Sequence, residues 1–322
     1  MMHVAILDDY QQVALQLADW KSLDPDAEIR VFPDHLFDLD ALQKRLHNFE
    51  CVVLMRERTP FPRALFERLP NLRLLITSGS RNAAIDVDAA TDHKVQVCGT
   101  QLKGMGTAEL TWGLILAAMR HIVAEDRALQ QSKWQTTLGI ELAGKTLGLL
   151  GLGRLGSEVA RVGAAFRMNL ISWSPNLTAE RAAAAGATLV SKDELLSRSD
   201  VLTIHLVLSR STMGLVGAAD LARMKPSAFL VNTSRGPIVD EEALFKTLQQ
   251  RKIAGAGIDV FSVEPLPADN PIRKLDNVVL TPHLGYVTAE NYGHHFPQVV
   301  EIIRAFIGGK VVKGINELPA AR

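Results

Sequence analysis

Short apolar runs alternate with amphipathic stretches along most of the chain. In the first hundred residues "HVAILDD" (3–9), "EIRVF" (28–32), "CVVLM" (51–55), "LRLLITS" (72–78) and "KVQVCG" (94–99) read as buried strands. Helical patterns such as "DALQKRLHNF" (40–49) and "PRALFERL" (62–69) lie between them. Continuous apolar strands separated by amphipathic helices predict a parallel sheet covered on both faces. Residues 107–131 carry the longest helical pattern, with Gly104 and Gly106 before it and Thr107 as the expected N-cap. Its apolar face is too broad for a surface helix. From Thr146 the alternation restarts: "TLGLLG" (146–151), "NLISW" (169–173), "ATLV" (187–190), "DVLTIHL" (200–206), "AFLVNT" (228–233), "AGAGIDV" (254–260) and "NVVLTPH" (277–283). These predict a second parallel sheet. Residues 288–308 close the chain as a helix, with a kink expected at Pro297.

Composition narrows the class. The 322 residues favour two domains, and 47% hydrophobic residues supply substantial cores. Acidic and basic side chains balance at 35 each, so no global field favours nucleic acid or membrane. No apolar run approaches the roughly 20 residues of a membrane span, and the N-terminus lacks the form of a secretory signal. A cytoplasmic protein is expected. Cys51 and Cys98 lie in strand-like runs and read as buried, reduced thiols. No metal site is assigned.

"LLGLGRLGSEVARVGAAF" (149–166) is a strand, then Gly151-x-Gly153-x-x-Gly156, then a helix. The first glycine permits the tight turn, the second admits a pyrophosphate to the backbone, and the third lets helix pack on sheet. The helix start adds N–H donors and a positive dipole end. Such a cradle predicts a bound dinucleotide. The next strand ends at "ISWSPN" (171–176), where a ribose-binding carboxylate is expected and Ser174 stands instead. Serine bonds a ribose hydroxyl without repelling a 2′-phosphate. Pro175 and Asn176 add no cation, and the nearest basic side chain downstream is Arg181. NAD and NADP both stay open at this point.

Three later segments end strands with polar groups: Arg235 in "LVNTSRGPIVDEEAL" (230–244), Asp259 and Glu264 in "GIDVFSVEPL" (257–266), and His283 in "LTPHLGY" (280–286). Ligands of open α/β sheets bind outside the carboxyl ends of strands. Reduction of a 2-keto acid needs a cation on its carboxylate and carbonyl, and an acid for the developing alkoxide. Arg235 suits the first task and His283 the second, with a carboxylate to favour the charged ring. Of the nine histidines, His205 reads as lining the sheet end, and His294 and His295 as ordinary helix positions.

These segments, with "TAELTWGLILAAMR" and "MKPSAFLVNTSRGPIVDEEAL", span nearly the whole chain in a fixed order. The chain resembles the D-isomer-specific 2-hydroxyacid dehydrogenases, the group of D-lactate, D-glycerate and D-3-phosphoglycerate dehydrogenases, including glyoxylate and hydroxypyruvate reductases. The resemblance implies two doubly wound parallel-sheet α/β domains. A Rossmann cofactor domain (101–287) would be inserted in a flavodoxin-like substrate domain (1–100 plus 288–322), with hinges near 100 and 288. It implies an NAD(P)-dependent oxidoreductase of small 2-keto and D-2-hydroxy acids, a homodimer with the helix near 107–131 as an interface element.

By the same resemblance, Arg235, Glu264 and His283 would be the catalytic set. Arg235 would bind the substrate, His283 would be the general acid in reduction, and Glu264 would hold its ring. Gly151, Gly153, Arg154, Leu155, Gly156 and Ser174 would hold the adenine side of the cofactor. Thr233, Ser234, Arg235, Asp259, His283 and Gly285 would line its nicotinamide side. Arg56 in "LMRERTPF" (54–61) and Ser78, Gly79, Ser80 and Arg81 in "TSGSRN" (77–82) would bind substrate. Three departures stand out: Ser174 replaces an acid, Val207 stands where proline is frequent, and Arg81 enters a loop of smaller residues. At 322 residues the chain has no room for the extra regulatory domain of long phosphoglycerate dehydrogenases, so none is expected. Two alternative readings are a dinucleotide-sensing corepressor, which acts through added surfaces, and a formate- or phosphite-type dehydrogenase.

Overall fold

The structure, a computed structural model, describes residues 1–318; the last four residues of "ELPAAR" lie outside the described residues. The chain divides into two compact units, Met1–Gly104 with the chain from Thr288 onward, and Met105–Val287.

The first unit carries β1 (Met2–Ile6), β2 (Ala27–Val31), β3 (Cys51–Leu54), β4 (Leu74–Thr77) and β5 (Gln96–Gly99). Helices α1 (Leu39–Leu46), α2 (Arg63–Phe66) and α3 (Val87–Asp92) separate the later strands. The sheet is parallel in the order β2-β1-β3-β4-β5, the flavodoxin-like order. Every residue of β3, β4 and β5 is buried, which is why they read as unbroken apolar runs. Cys51 and Cys98 are free thiols on β3 and β5. Burial raises the Cys51 thiol well above its usual range and Cys98 to about 11, so both behave as core residues.

The second unit begins with α4 (Gly106–Met119) and α5 (Ile122–Gln130). Strands β6 (Thr146–Leu150), β7 (Asn169–Trp173), β8 (Thr188–Leu189), β9 (Val201–Ile204), β10 (Phe229–Asn232), β11 (Gly255–Ile258) and β12 (Val278–Leu280) follow. They form one parallel sheet in the order β12-β11-β10-β9-β6-β7-β8, the doubly wound dinucleotide-binding order extended by one strand. Helices α6 (Arg154–Ala165), α7 (Ala179–Ala184), α8 (Lys192–Arg198), α9 (Ala218–Leu221) and α10 (Glu241–Gln249) connect the strands. The order reverses between β6 and β9, and the cradle leaves the sheet at that reversal.

The chain then returns to the first unit as α11 (Ala289–Ile307), one helix through Pro297. Past it, the Gly99 amide donates to the Lys313 carbonyl and the Ile315 amide to Val97, which covers the outer edge of β5.

Two local expectations are corrected. The 107–131 pattern is two helices, because His121 takes a left-handed backbone (φ 52°) that ends α4 and caps α5. Side-chain periodicity carries no trace of such a break. Thr107 lies inside α4, whose N-cap is Met105. The Thr107 hydroxyl instead donates to the Gly285 carbonyl (2.9 Å).

Candidate active site

The glycine cradle is built by steric exclusion. Gly151 has φ +102°, and a Cβ there would sit 2.8 Å from the His205 carbonyl carbon. A Cβ on Gly156 would strike the Gly151 carbonyl oxygen, so only glycine lets α6 approach the end of β6. Gly153 differs: it is exposed, and a Cβ there would meet no atom within 4 Å. Open space over the middle glycine, beside a twelve-residue helix whose N-cap offers no side chain, is the shape a pyrophosphate fills. The residues therefore fit the dinucleotide on steric grounds. Arg154 and Leu155 open α6 at the rim of that space. The Gly151 amide donates to the Trp173 carbonyl (2.9 Å), which ties the cradle to the end of β7, where half-buried Ser174 follows.

Three adjacent strands, β10, β11 and β12, bring the later motifs to one sheet edge. The backbone stitches their ends together. Asp259 donates to Asn232 (3.0 Å), Thr281 to Ile258 (2.9 Å), and His283 to Asp259 (2.8 Å). Arg235 stands three residues past the end of β10 in extended backbone, and its Nη1 donates to the Ser234 carbonyl (2.7 Å). Asn232 organises this turn, accepting from the Ser234 amide and donating to the Arg235 carbonyl (3.0 Å each). A Cβ on Gly236 would strike the Phe261 backbone, so the Arg235 turn lies directly against the loop that carries Glu264.

Glu264 divides its two oxygens. Oε1 accepts from the Phe261 amide (2.8 Å), and Oε2 lies 2.5 Å from Nδ1 of His283. The two side chains are 22% and 13% exposed, which makes this the strong, partly desolvated kind of carboxylate–imidazole contact. Tyr286 meets the His283 ring edge-on with centroids 5.4 Å apart.

His283 sits at φ +53°, a left-handed conformation that costs a non-glycine residue roughly 1–3 kcal/mol. Asp259 holds it there. Its carboxylate is wholly buried and accepts from the Thr281 hydroxyl (2.6 Å) and from the amides of Leu284 (2.7 Å) and Gly285 (3.0 Å). Burial raises the Asp259 carboxyl above its usual range against the pull of these donors. Thr233 bonds Thr111 (2.7 Å), and the Ser234 hydroxyl donates to the Leu206 carbonyl. Burial presses the neighbouring His205 down to about 4, so its ring is neutral near pH 7. The arrangement presents one cation and one carboxylate-held imidazole beside a dinucleotide cradle.

In the first unit, Arg56 has φ +54° and its Nη1 donates to the Ser78 carbonyl (3.2 Å). Its guanidinium covers Gly79, whose amide points to the Thr100 hydroxyl (3.4 Å). Ser80 and Arg81 are exposed. Sequence reasoning passed over Asn232, Thr281, Thr111 and Tyr286. An asparagine at the strand end in "LVNTSRG" is the one signal the sequence offers.

Known proteins are similar to this chain over most of its length. Residues 112–285 match the family model "D-isomer specific 2-hydroxyacid dehydrogenase, NAD binding domain". The chain is similar to a D-3-phosphoglycerate dehydrogenase of Archaeoglobus fulgidus, 39% identical over 284 residues, covering 87% of this chain and 54% of the relative. It is similar to a glyoxylate reductase of Korarchaeum cryptofilum, 34% identical, covering 91% of this chain and 86% of the relative. A crystal structure of a phosphoglycerate oxidoreductase from Vibrio cholerae superposes with a TM-score of 0.92 at 37% identity, over 96% of this chain and 100% of that one. The chain spans about half the length of the curated D-3-phosphoglycerate dehydrogenases it matches. Among the described residues no helix is long and apolar enough to cross a membrane.

Proposed function

The chain belongs to the D-isomer specific 2-hydroxyacid dehydrogenase family, and from that premise we propose that it interconverts a small 2-keto acid and its D-2-hydroxy acid with NAD(H) or NADP(H). The observation that carries this reading is the 2.5 Å contact of Glu264 with His283, on the strand ends that also bear Arg235. When bound, the dinucleotide supplies or accepts the hydride.

The protein's own residues do the rest. Arg235 pairs with the substrate carboxylate and polarises the carbonyl, a task its forked donors suit. Glu264 accepts from Nδ1 of His283 and thereby leaves Nε2 as the exchanging position. In reduction Nε2 gives its proton to the carbonyl oxygen as that oxygen becomes an alkoxide. In oxidation it takes the hydroxyl proton. Asp259 acts by holding the 281–285 loop, so that the ring meets the substrate in one orientation. Thr233, Ser234 and Gly285 bound the nicotinamide side of the cradle-bearing unit.

In the first unit, loop 78–81 is proposed to hold a carboxylate. Arg56 and Arg81 favour a substrate with a second anionic or polar group. A homodimer is also proposed. Ile122, Leu129, Trp134 and Leu138 on and after α5 are 52%, 58%, 76% and 91% exposed, an apolar face that a second copy would cover.

The test is steady-state oxidation of NADH and NADPH, in parallel, with glyoxylate, hydroxypyruvate and pyruvate. Turnover with at least one acid is expected. Dinucleotide binding with no turnover on any keto acid would overturn the reading.

A further inference from the structure

The cofactor choice that the sequence leaves open turns on the residues that follow the end of β7. The chain leaves that strand through Ser174, and the Leu177 amide closes a turn on the Ser174 carbonyl (3.2 Å). Pro175 and Asn176 are exposed on this turn. Arg181 follows in α7, but its side chain folds back: Nη1 donates to the Asn176 carbonyl (3.3 Å). The exposed guanidinium is thus tied to the turn. Among the described residues Arg181 forms no salt bridge. A guanidinium has five N–H donors in a fixed fork, so one contact to a carbonyl leaves capacity for an anion.

The one acid on this stretch, Glu180, is directed elsewhere. Hydrogen bonds from its own backbone amide and then from the Thr178 hydroxyl hold its carboxyl below the usual range. The cradle fixes where the adenosine must lie. Gly151 is bonded to the Trp173 carbonyl, so the ribose of a dinucleotide seated over Gly153 falls at the residue after β7. A carboxylate there would bind both ribose hydroxyls and repel a phosphate. Ser174 would bond a ribose hydroxyl without repelling a phosphate, and the Arg181 guanidinium is bonded to the carbonyl of the same turn.

We infer that Ser174, the Asn176 turn and Arg181 form a 2′-phosphate site, which makes this chain select NADP(H) over NAD(H). The inference rests on the dinucleotide reading given under Proposed function and adds to it the member of the cofactor pair that the chain takes. Arg181 is a specificity residue and takes no part in the proton chemistry.

The experiment is direct binding, independent of turnover. Dissociation constants for NADPH and NADH are measured by calorimetric titration of the intact protein, its Arg181→Ala variant and its Ser174→Asp variant. Adenosine 2′,5′-bisphosphate is compared with adenosine 5′-monophosphate to isolate the phosphate. The unaltered protein is expected to bind NADPH about tenfold or more tighter than NADH. Arg181→Ala should remove most of that preference by weakening NADPH and the bisphosphate alone. Ser174→Asp should reverse it. Raising salt should shrink the preference, since the contact is ionic and exposed.

Arg181 is exposed and its backbone bond to Thr178 survives the substitution, so the variant folds. Equal affinity for the two dinucleotides, tighter NADH, or a preference that Arg181→Ala leaves intact would each overturn the proposal while the dinucleotide reading stands. Binding of neither dinucleotide would overturn both.

Discussion

Glu264→Gln changes one oxygen to an amide and tests how the imidazole is held. In the native site each carboxylate oxygen receives one N–H, Oε1 from Phe261 and Oε2 from His283. A carboxamide offers only one acceptor atom. If that oxygen stays with Phe261, the new NH2 faces Nδ1, and the ring must turn Nδ1 into an acceptor. The neutral ring then carries its single proton on Nε2, and giving that proton up would leave an unfavourable imidazolate instead of a neutral imidazole. If the oxygen turns to His283, the NH2 meets the Phe261 amide head-on. Either way one charge-assisted hydrogen bond is lost, about 1.5–3 kcal/mol. With about 1.4 kcal/mol per factor of ten, kcat/KM for the keto acid should fall by about one to two orders of magnitude. The assay follows NAD(P)H absorbance against substrate concentration, with the dinucleotide dissociation constant measured separately. That constant should stay within about twofold, because the hydrogen bonds of Glu264 run to the Phe261 amide and the His283 ring. A kcat/KM within about twofold of the unaltered protein would refute the role assigned to Glu264.

Other outcomes follow from the same geometry. Gly153→Ala should fold with an unchanged melting temperature, since its Cβ meets no protein atom, yet bind dinucleotide about tenfold or more weakly by occupying the pyrophosphate space. Gly156→Ala should lose both binding and several degrees of melting temperature, because its Cβ strikes Gly151. Intact Gly156→Ala stability, or unimpaired Gly153→Ala binding, would contradict the steric account of the cradle. His295, fully buried against Thr100 (2.8 Å), has its titration pressed by burial down to about 3 from 6.5. Its folded form resists a proton that the unfolded chain accepts, so stability should fall as pH drops below 6.5, by about 1.4 kcal/mol per pH unit for this one group. His295→Asn should flatten that slope in urea unfolding between pH 7 and 5, and an identical slope would refute it. Arg235→Ala should raise KM and lower kcat for the keto acid while dinucleotide affinity holds. Equal loss of both would point to a folding role instead.

The parts of this fold that could be read from the sequence are those set by burial and by excluded volume. "NLISW" coincides with β7, Asn169–Trp173, and "CVVLM" overruns β3 by one residue, because a strand covered on both faces must be apolar throughout. The glycine spacing was legible because two of the three positions admit no side chain. The break at His121 was not, since an isolated left-handed residue leaves helical periodicity intact on both sides. Arg235, Glu264 and His283 could be picked out as candidate chemistry. That Glu264 faces His283 depends on the path of the 261–264 loop, which no spacing rule gives. The sequence drew attention to Asp259 as an acid at a strand end. Its total burial, with three donors on one carboxylate, emerges only from the packing of the 281–285 loop. Arg181 was visible only as a basic residue somewhat downstream of Ser174. Its return to the Asn176 carbonyl is a property of side-chain direction.

His283 is proposed as the proton donor in a keto-acid reduction carried out on this sheet edge. Its most direct test is a single-turnover experiment in which protein preloaded with reduced dinucleotide is mixed with glyoxylate, for the unaltered chain and for His283→Ala. Reduction by the unaltered chain is expected, with a rate at least about a hundredfold lower in the variant at equal dinucleotide occupancy. A variant that reduces the acid at a rate near that of the unaltered chain would contradict it.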